Sequence, residues 1–307
     1  MQKNHWLRAL RPALAGVVVL AVMAACSPPP PGTYATPEEA VQTLGKFAGS
    51  GDRQKTEEMF GVAGAELFES GDPVADREDA LRVKAMIAEK VAFADLDATT
   101  KAAVVGNDEW WFPLPLVLKD GRWRFDVEGG REELLNRRIG RNELLVLASL
   151  HAYVDAQREF HAGGWAGKPP AYARRFLSSE GARDGLYWSA GEGEAESPLG
   201  PLFAEAARTH TQEAGPQPFH GYYFRILEAQ GPSAPGGASS YLDKKDRLTR
   251  GFGAIAWPSK HGNSGIMTFQ VNQQGIVFQK DLGPETETAV ASIEAYDPDE
   301  SWHPTGD

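Results

Sequence analysis

The sequence predicts an α+β fold in two lobes, and three observations carry that reading. The first is helix grammar early in the chain: Thr36-Pro37-Glu38-Glu39 and Asp72-Pro73 each place a capping residue before a proline at the first helical position. The second is a set of strand-like runs, Thr99 to Val105, Phe112 to Leu118 and Arg122 to Val127, separated by turn residues. The third is Arg137 to Phe160 (RRIGRNELLVLASLHAYVDAQREF), the longest apolar-periodic segment, after which the chain turns to Gly/Pro loops and aromatic strands. Helices followed by antiparallel strands, in each half, is the α+β pattern.

In chain order, Lys3, Arg8 and Arg11 form a basic start and Ala13 to Met23 an apolar run too short to span a bilayer, which predicts an export signal over residues 1–25. Met23-Ala24-Ala25-Cys26 resembles a bacterial lipobox, with Cys26, the sole cysteine, as the acylated residue. Diacylation with amino-terminal acylation supplies the several chains that stable anchoring needs. Ser27 rather than Asp follows it, which by resemblance to enterobacterial sorting favours the outer membrane, facing the periplasm. Residues 26–34, with SPPPPG at 27–32, read as a stiff tether.

The first lobe, residues 35–136, opens on a helix carrying Ala40, Val41, Leu44, Phe47 and Ala48, stopped by Gly49 and Gly51. A short helix over Gln54 to Phe60 and a longer one from Asp72 to about Lys90 follow, the latter with Ala80, Val83, Ile87 and Val91 on one side. Asp120-Gly121 is a two-residue hairpin signal, because a type I′ turn needs positive φ at both positions. A short helix over Arg131 to Asn136 leads into the second lobe, residues 137–307.

There Leu144 to Leu150 leave almost no polar side, so burial all round is expected, while Tyr153 to Phe160 should lie half exposed on a sheet. Short helices are expected over Ala171 to Leu177 and Leu199 to Arg208. Strands are expected over Tyr222 to Ala229, Gly251 to Trp257, Ile266 to Val271 and Ile276 to Lys280, the last two joined by Asn272 to Gly275. Residues 230–240 form a long loop, Pro284 opens a closing helix, and the tail from Asp297 is largely irregular.

The chain has 307 residues and a net charge of −11; without the signal, 28 Lys and Arg face 42 Asp and Glu, a net of −14. That balance argues against a nucleic-acid partner. No Cys/His zinc spacing and no His-Glu-x-x-His is present, and no motif demands a cofactor.

ATPEEAV, SGDPVADR, GNDEWWFPLPLV, LNRRIGRNE, YVDAQREF, GYYFRIL and GNSGIMTFQVNQQGIVFQKDLG together resemble the bacterial envelope family known as domain of unknown function 2950, over about Thr33 to Trp302. That resemblance implies an envelope setting and supplies no catalytic residues. The helix NELLVLASLHAYVDAQREF with its later antiparallel strands is similar to the soluble part of type IV pilins and pseudopilins, without their cleavage site or apolar stem. It implies a long helix packed on a sheet, and fold alone carries no function.

Candidate chemistry is sparse. His151 and Asp155, four apart on one helix face, could orient an imidazole; a helix-face hydrogen bond is the plainer reading. His261-Gly262-Asn263-Ser264-Gly265 puts a histidine and a serine in one loop, but the Gly-x-Ser-x-Gly spacing fails. Gly251-Phe252-Gly253-Ala254-Ile255-Ala256 lacks the following helix that a dinucleotide loop needs. Arg137, Arg138 and Arg141 could form an anion site, and pairing with Glu132, Glu133 and Glu143 is the favoured alternative. Asp297, Asp299 and Glu300 lack the EF-hand spacing for calcium. Tyr222, Tyr223, Trp188 and Trp257 would suit a sugar or peptide groove, or a core. The expectation is a lipid-anchored, non-catalytic binding or structural module with other envelope proteins or glycan as candidate partners; the alternative is an envelope hydrolase using His151/Asp155 or His261/Ser264.

Overall fold

The computed structural model describes residues 29–164, 169–191, 194–199 and 218–306. The expected export signal, Cys26 and nearly all of the helix expected over 199–208 lie outside them. From Pro31 onward the chain forms one compact unit, and its helices and antiparallel sheets make it α+β.

The opening helix, α1 (Pro37–Phe47), is capped as its sequence dictates. Thr36 accepts the Glu39 N–H at 3.1 Å, and the Glu39 carboxylate takes the Ala35 N–H at 2.7 Å. Next come α2 (Arg53–Phe60), a further short helix α3 (Val62–Leu67), and α4 (Pro73–Glu89), capped by Asp72, which accepts the Ala75 N–H at 3.0 Å. α4 stops short of Val91. Strand β1 (Val91–Asp95) begins one residue later, and Gly106 N–H closes the helix by bonding Met86 O and Lys90 O, each at 3.0 Å. Helix and strand run together without glycine or proline between them, so no local stop signal marks the end of α4.

β1, β2 (Thr100–Val105), β4 (Leu116–Lys119) and β5 (Arg122–Phe125) form an antiparallel sheet in that order, with β3 (Trp110–Trp111) paired to β2. Asp120 at φ 53° and Gly121 at φ 72° make the expected turn between β4 and β5. Leu44, Phe47, Phe60, Leu116 and Phe125 pack with the sheet and helices into the first core.

The largest departure is α5, a single helix from Val127 to Gly163, 37 residues and roughly 55 Å long at 1.5 Å per residue. The lobe boundary expected after residue 136 falls inside it. At Gly130 a side chain would meet Pro113 O at 2.5 Å and the Leu114 side chain at 2.6 Å, so glycine allows the first turn to seat on that loop. Leu144 is 68% exposed and Ala148 is exposed, which corrects the expectation of all-round burial. Burial follows Val146, Leu150, Tyr153, Val154 and Gln157, a helical stripe, because a sheet covers one side of α5 only.

That sheet is β12-β11-β10-β9-β6, antiparallel throughout: β6 (Tyr222–Leu227), β9 (Gly253–Pro258), β10 (Met267–Asn272), β11 (Phe278–Asp281) and β12 (His303–Pro304). Val146 to Ala156 of α5 pack on Tyr222, Ala254, Phe269 and Val271 to form the second core. A closing helix, Thr286–Ala291, covers Leu227, Ile255 and Tyr296. The tail from Asp297 is largely irregular, as expected, apart from the two residues of β12 that pair with β11. The 230–240 loop carries a two-strand ladder, β7 (Ala229–Gln230) with β8 (Ser239–Ser240), and Gln230 ties it down by donating to Pro235 O at 2.9 Å and Gly237 O at 2.8 Å.

Residues 171–177 are extended rather than helical. The buried amide of Gln157 accepts the Ala173 N–H at 2.8 Å and donates to Ala173 O at 2.9 Å, engaging the carbonyl that a helix over 171–177 would offer to the Leu177 N–H.

Leu144→Ser should shift stability by no more than about 0.5 kcal/mol, whereas Leu150→Ala should cost about 2–5 kcal/mol. Denaturant unfolding of the full chain measures both, and a comparable loss at the two positions would contradict this placement of α5.

Candidate functional site: a cleft between α4 and α5

α4 and the first half of α5 are not packed face to face. A cleft of about 790 Å³ lies between them, closed at its back by α1, α2 and α3. Asp76, Asp79, Ala80, Val83 and Met86 come from one face of α4, and Leu134, Arg137, Arg138 and Arg141 repeat at helical spacing along α5. This explains why Ala80 and Val83, expected in the core, stay half-buried: they line an opening.

The floor is apolar and aromatic. Leu44, Phe47, Phe60, Phe112 and Leu134 face the cleft and are each less than a tenth exposed. Ring contacts run from Phe68 to Phe60 at 4.8 Å, Phe60 to Phe125 at 5.1 Å, Phe125 to Phe112 at 5.6 Å and Phe112 to Trp110 at 6.0 Å. Arg137 continues the series, its guanidinium 5.5 Å from the Trp110 ring centre.

The rim is charged, with six arginines against four carboxylates around the lining. Arg141 grips Asp79 with two bonds of 2.9 and 2.6 Å and so bridges the two helices; Arg82 reaches the same carboxylate at 3.3 Å. Arg137 pairs with Glu133 at 2.6 Å and donates to Trp111 O at 2.6 Å. Arg138 is buried and donates to Leu67 O at 2.9 Å and to Asn263 Oδ1; burial pulls its guanidinium below its ordinary range, against the fields of Asp76 and Asp79. Of the pairings expected for these arginines, Glu133 takes part, Glu132 does not, and Glu143 turns to the other core. Its carboxylate accepts the Ile266 and Met267 N–H groups at 2.9 and 3.0 Å.

Asp76 also faces the cleft. Burial pushes its carboxyl upward, while the Ser70 hydrogen bonds and Arg138 oppose that.

The residues singled out for catalysis are not assembled around one another. His151 is exposed and makes no hydrogen bond among the described residues; Asp155 is exposed and reaches Arg158 at 3.2 Å. His261 Nε2 lies 2.8 Å from Asp281 Oδ1, and Asp281 is held below the usual carboxylate range, first by the Gly283 N–H and then by His261. Ser264 is fully buried, its hydroxyl engaged with Ser259 Oγ, Lys260 N–H and Lys260 O, so it staples a turn instead of facing His261.

Tyr222 is buried in the second core with its hydroxyl 3.0 Å from Met267 O, and burial with the neighbouring Glu143 pushes it well upward. It offers no stacking surface. Tyr223 and Trp257 are half-buried neighbours with ring centres 5.7 Å apart, and Arg225 lies 5.6 Å over Trp257 while tied to Val290 O and Ile293 O. Trp188 is buried and donates to Ala195 O at 3.1 Å. Asp297 accepts Ser233 N–H and so ties down the 230–240 loop, while Asp299 accepts Ser301 N–H within its own turn. Among the described residues no three His, Cys, Asp or Glu side chains converge as a metal site.

A family model described as "Protein of unknown function (DUF2950)" matches residues 32–305. The chain belongs to the DUF2950 family. No curated protein and no solved structure matches the chain. The DUF2950 region spans every helix and strand described above, the cleft included.

The sequence had flagged the arginines but not the pocket they border. Its aromatic floor comes from residues scattered over α1, α2, the turn after α3 and the strand at Trp110. The one local hint is that Asp76 and Asp79 share a helix face with Ala80 and Val83, a mixture that a closed core does not tolerate.

Asp76 yields a pH prediction. Its folded value lies above the roughly 3.9 of an unperturbed aspartate, so in that interval the native state holds a proton that the unfolded state has released. Stability should fall as pH rises across the window, and Asp76→Asn should flatten that slope. A carboxyl NMR titration placing Asp76 at or below about 3.9 would contradict this.

Proposed function

We propose that this DUF2950 chain is a lipid-anchored cell-envelope protein acting as a non-catalytic binding module, with the α4–α5 cleft as its ligand site. The observation that carries the reading is the cleft itself: apolar walls and a few convergent charged groups, within the size range of small-molecule sites. The anchor rests on Cys26 after the basic and apolar segments of residues 1–25. Among the described residues no helix is long and apolar enough to cross a membrane.

The second reading is an envelope hydrolase, and the pairing of His261 with Asp281 at 2.8 Å is what favours it. An imidazole oriented by a carboxylate is half of a base–nucleophile arrangement. The buried, internally bonded hydroxyl of Ser264 supplies no nucleophile to it.

An uncharged environment-sensitive dye, N-phenyl-1-naphthylamine, should brighten and shift to the blue on binding the full mature chain. Ala80→Trp, which fills the cleft, should weaken that binding at least about tenfold, the effect of 1.4 kcal/mol; His261→Ala should leave it unchanged. Dye binding that Ala80→Trp does not alter would overturn the assignment of the site. Separately, Cys26→Ser should move the protein from the membrane fraction to the soluble one. Unchanged fractionation would remove the anchor from the account.

A further inference from the structure

The charge around the cleft runs against the charge of the whole chain. The protein carries a net −11, yet its cleft lining holds six arginines and four carboxylates. Asp79 is shared between Arg141 and Arg82, so one carboxylate serves two of these arginines.

The two kinds of surface are separated in depth. Three arginines of the rim are exposed: Arg82 and Arg137, with side-chain exposures of 58% and 38%, and Arg77, which has no partner among the described residues. Beneath them Phe47, Phe60, Phe112 and Leu134 are nearly closed to solvent. An anion placed at the rim would meet guanidinium forks whose geometry suits a carboxylate. An apolar tail continuing inward would take its own methylenes out of water against these rings, worth about 0.8 kcal/mol for each one buried.

We propose that the cleft binds a single-chain anionic amphiphile, a long-chain carboxylate, with its head group at the α4–α5 rim and its acyl chain along the aromatic floor. The inference rests on the reading of the cleft as the ligand site and adds the chemical class of the ligand. A neutral apolar ligand would leave the exposed arginines without purpose in binding. A small anion without a tail would leave the floor uncovered. The amphiphile uses both.

The test is displacement of bound N-phenyl-1-naphthylamine from the full mature chain by dodecanoate and by dodecanol, at concentrations below micelle formation. Dodecanoate should displace the dye at a concentration at least about tenfold lower than dodecanol. In the double variant Arg77→Gln, Arg82→Gln, both at exposed positions, that preference should fall to within about twofold while dodecanol displacement stays unchanged. Asp79→Asn, which frees Arg82 and Arg141, should widen the preference. Equal displacement by the two compounds in the unmodified chain would overturn the anionic class and leave the cleft as a site for neutral ligands. A preference that the arginine pair does not alter would overturn the rim placement. Failure of the dye itself to bind would remove the underlying cleft reading, and this proposal with it.

Discussion

The structure depends on one constraint: a single helix has to serve two hydrophobic cores. α5 gives Leu134 to the first core and Val146 to Ala156 to the second, and between them runs a turn carrying Arg138, Asn142 and Glu143. Buried polar groups at such a junction cost several kilocalories unless they are bonded. Each of these is matched. Arg138 holds Leu67 O and Asn263, Asn142 donates to Ser264 O at 2.9 Å, and Glu143 takes two backbone N–H groups at the start of β10. On the other side of the junction Asp72 caps α4 and also accepts the Gly221 N–H at 3.0 Å. The turn at residues 259–265 is thereby fastened to α5 and to the segment ahead of α4. Gly265 permits that closeness, since a side chain there would overlap the Tyr222 ring.

The cleft follows from this fastening. α4 and α5 are held at a separation set by directional bonds, with Arg141–Asp79 as a strut across the gap. Collapsing the gap to close-packed density would strain or break those bonds, and losing the ones made by Arg138 and Asn142 would leave a buried polar group behind. The apolar faces of α4 and α5 are therefore left facing an opening. Its charged rim arises from the same helices, because residues that point at the gap without filling it keep access to water.

Much of the fold was legible in the sequence where a local signal decides it. The caps at Thr36 and Asp72, the Asp120-Gly121 turn, and the strands at 222–227 and 267–272 all follow from residue chemistry within a few positions. What was not legible depends on partners distant in the chain. Leu144 reads as core until one sees that the sheet covers a single side of α5. Ala171 to Leu177 reads as a helix until Gln157 takes both backbone groups of Ala173. For the site the same division holds. The arginine row was visible because it lies within five residues, and its partner Asp79 was not, being 62 positions away. Ser264 and Tyr222, which pattern alone leaves open as functional residues, are explained by burial.

The central claim is that the α4–α5 cleft is where this DUF2950 protein holds its ligand. Methyl NMR of the full mature chain, titrated with an apolar amphiphile, tests it most directly. The methyls of Leu44, Val83, Met86 and Leu134, from the α1, α4 and α5 walls of the cleft, should shift together and saturate together, while those of Ile226 and Val271 in the second half stay fixed. Shifts centred on the second sheet, with the cleft methyls unmoved, would contradict the account.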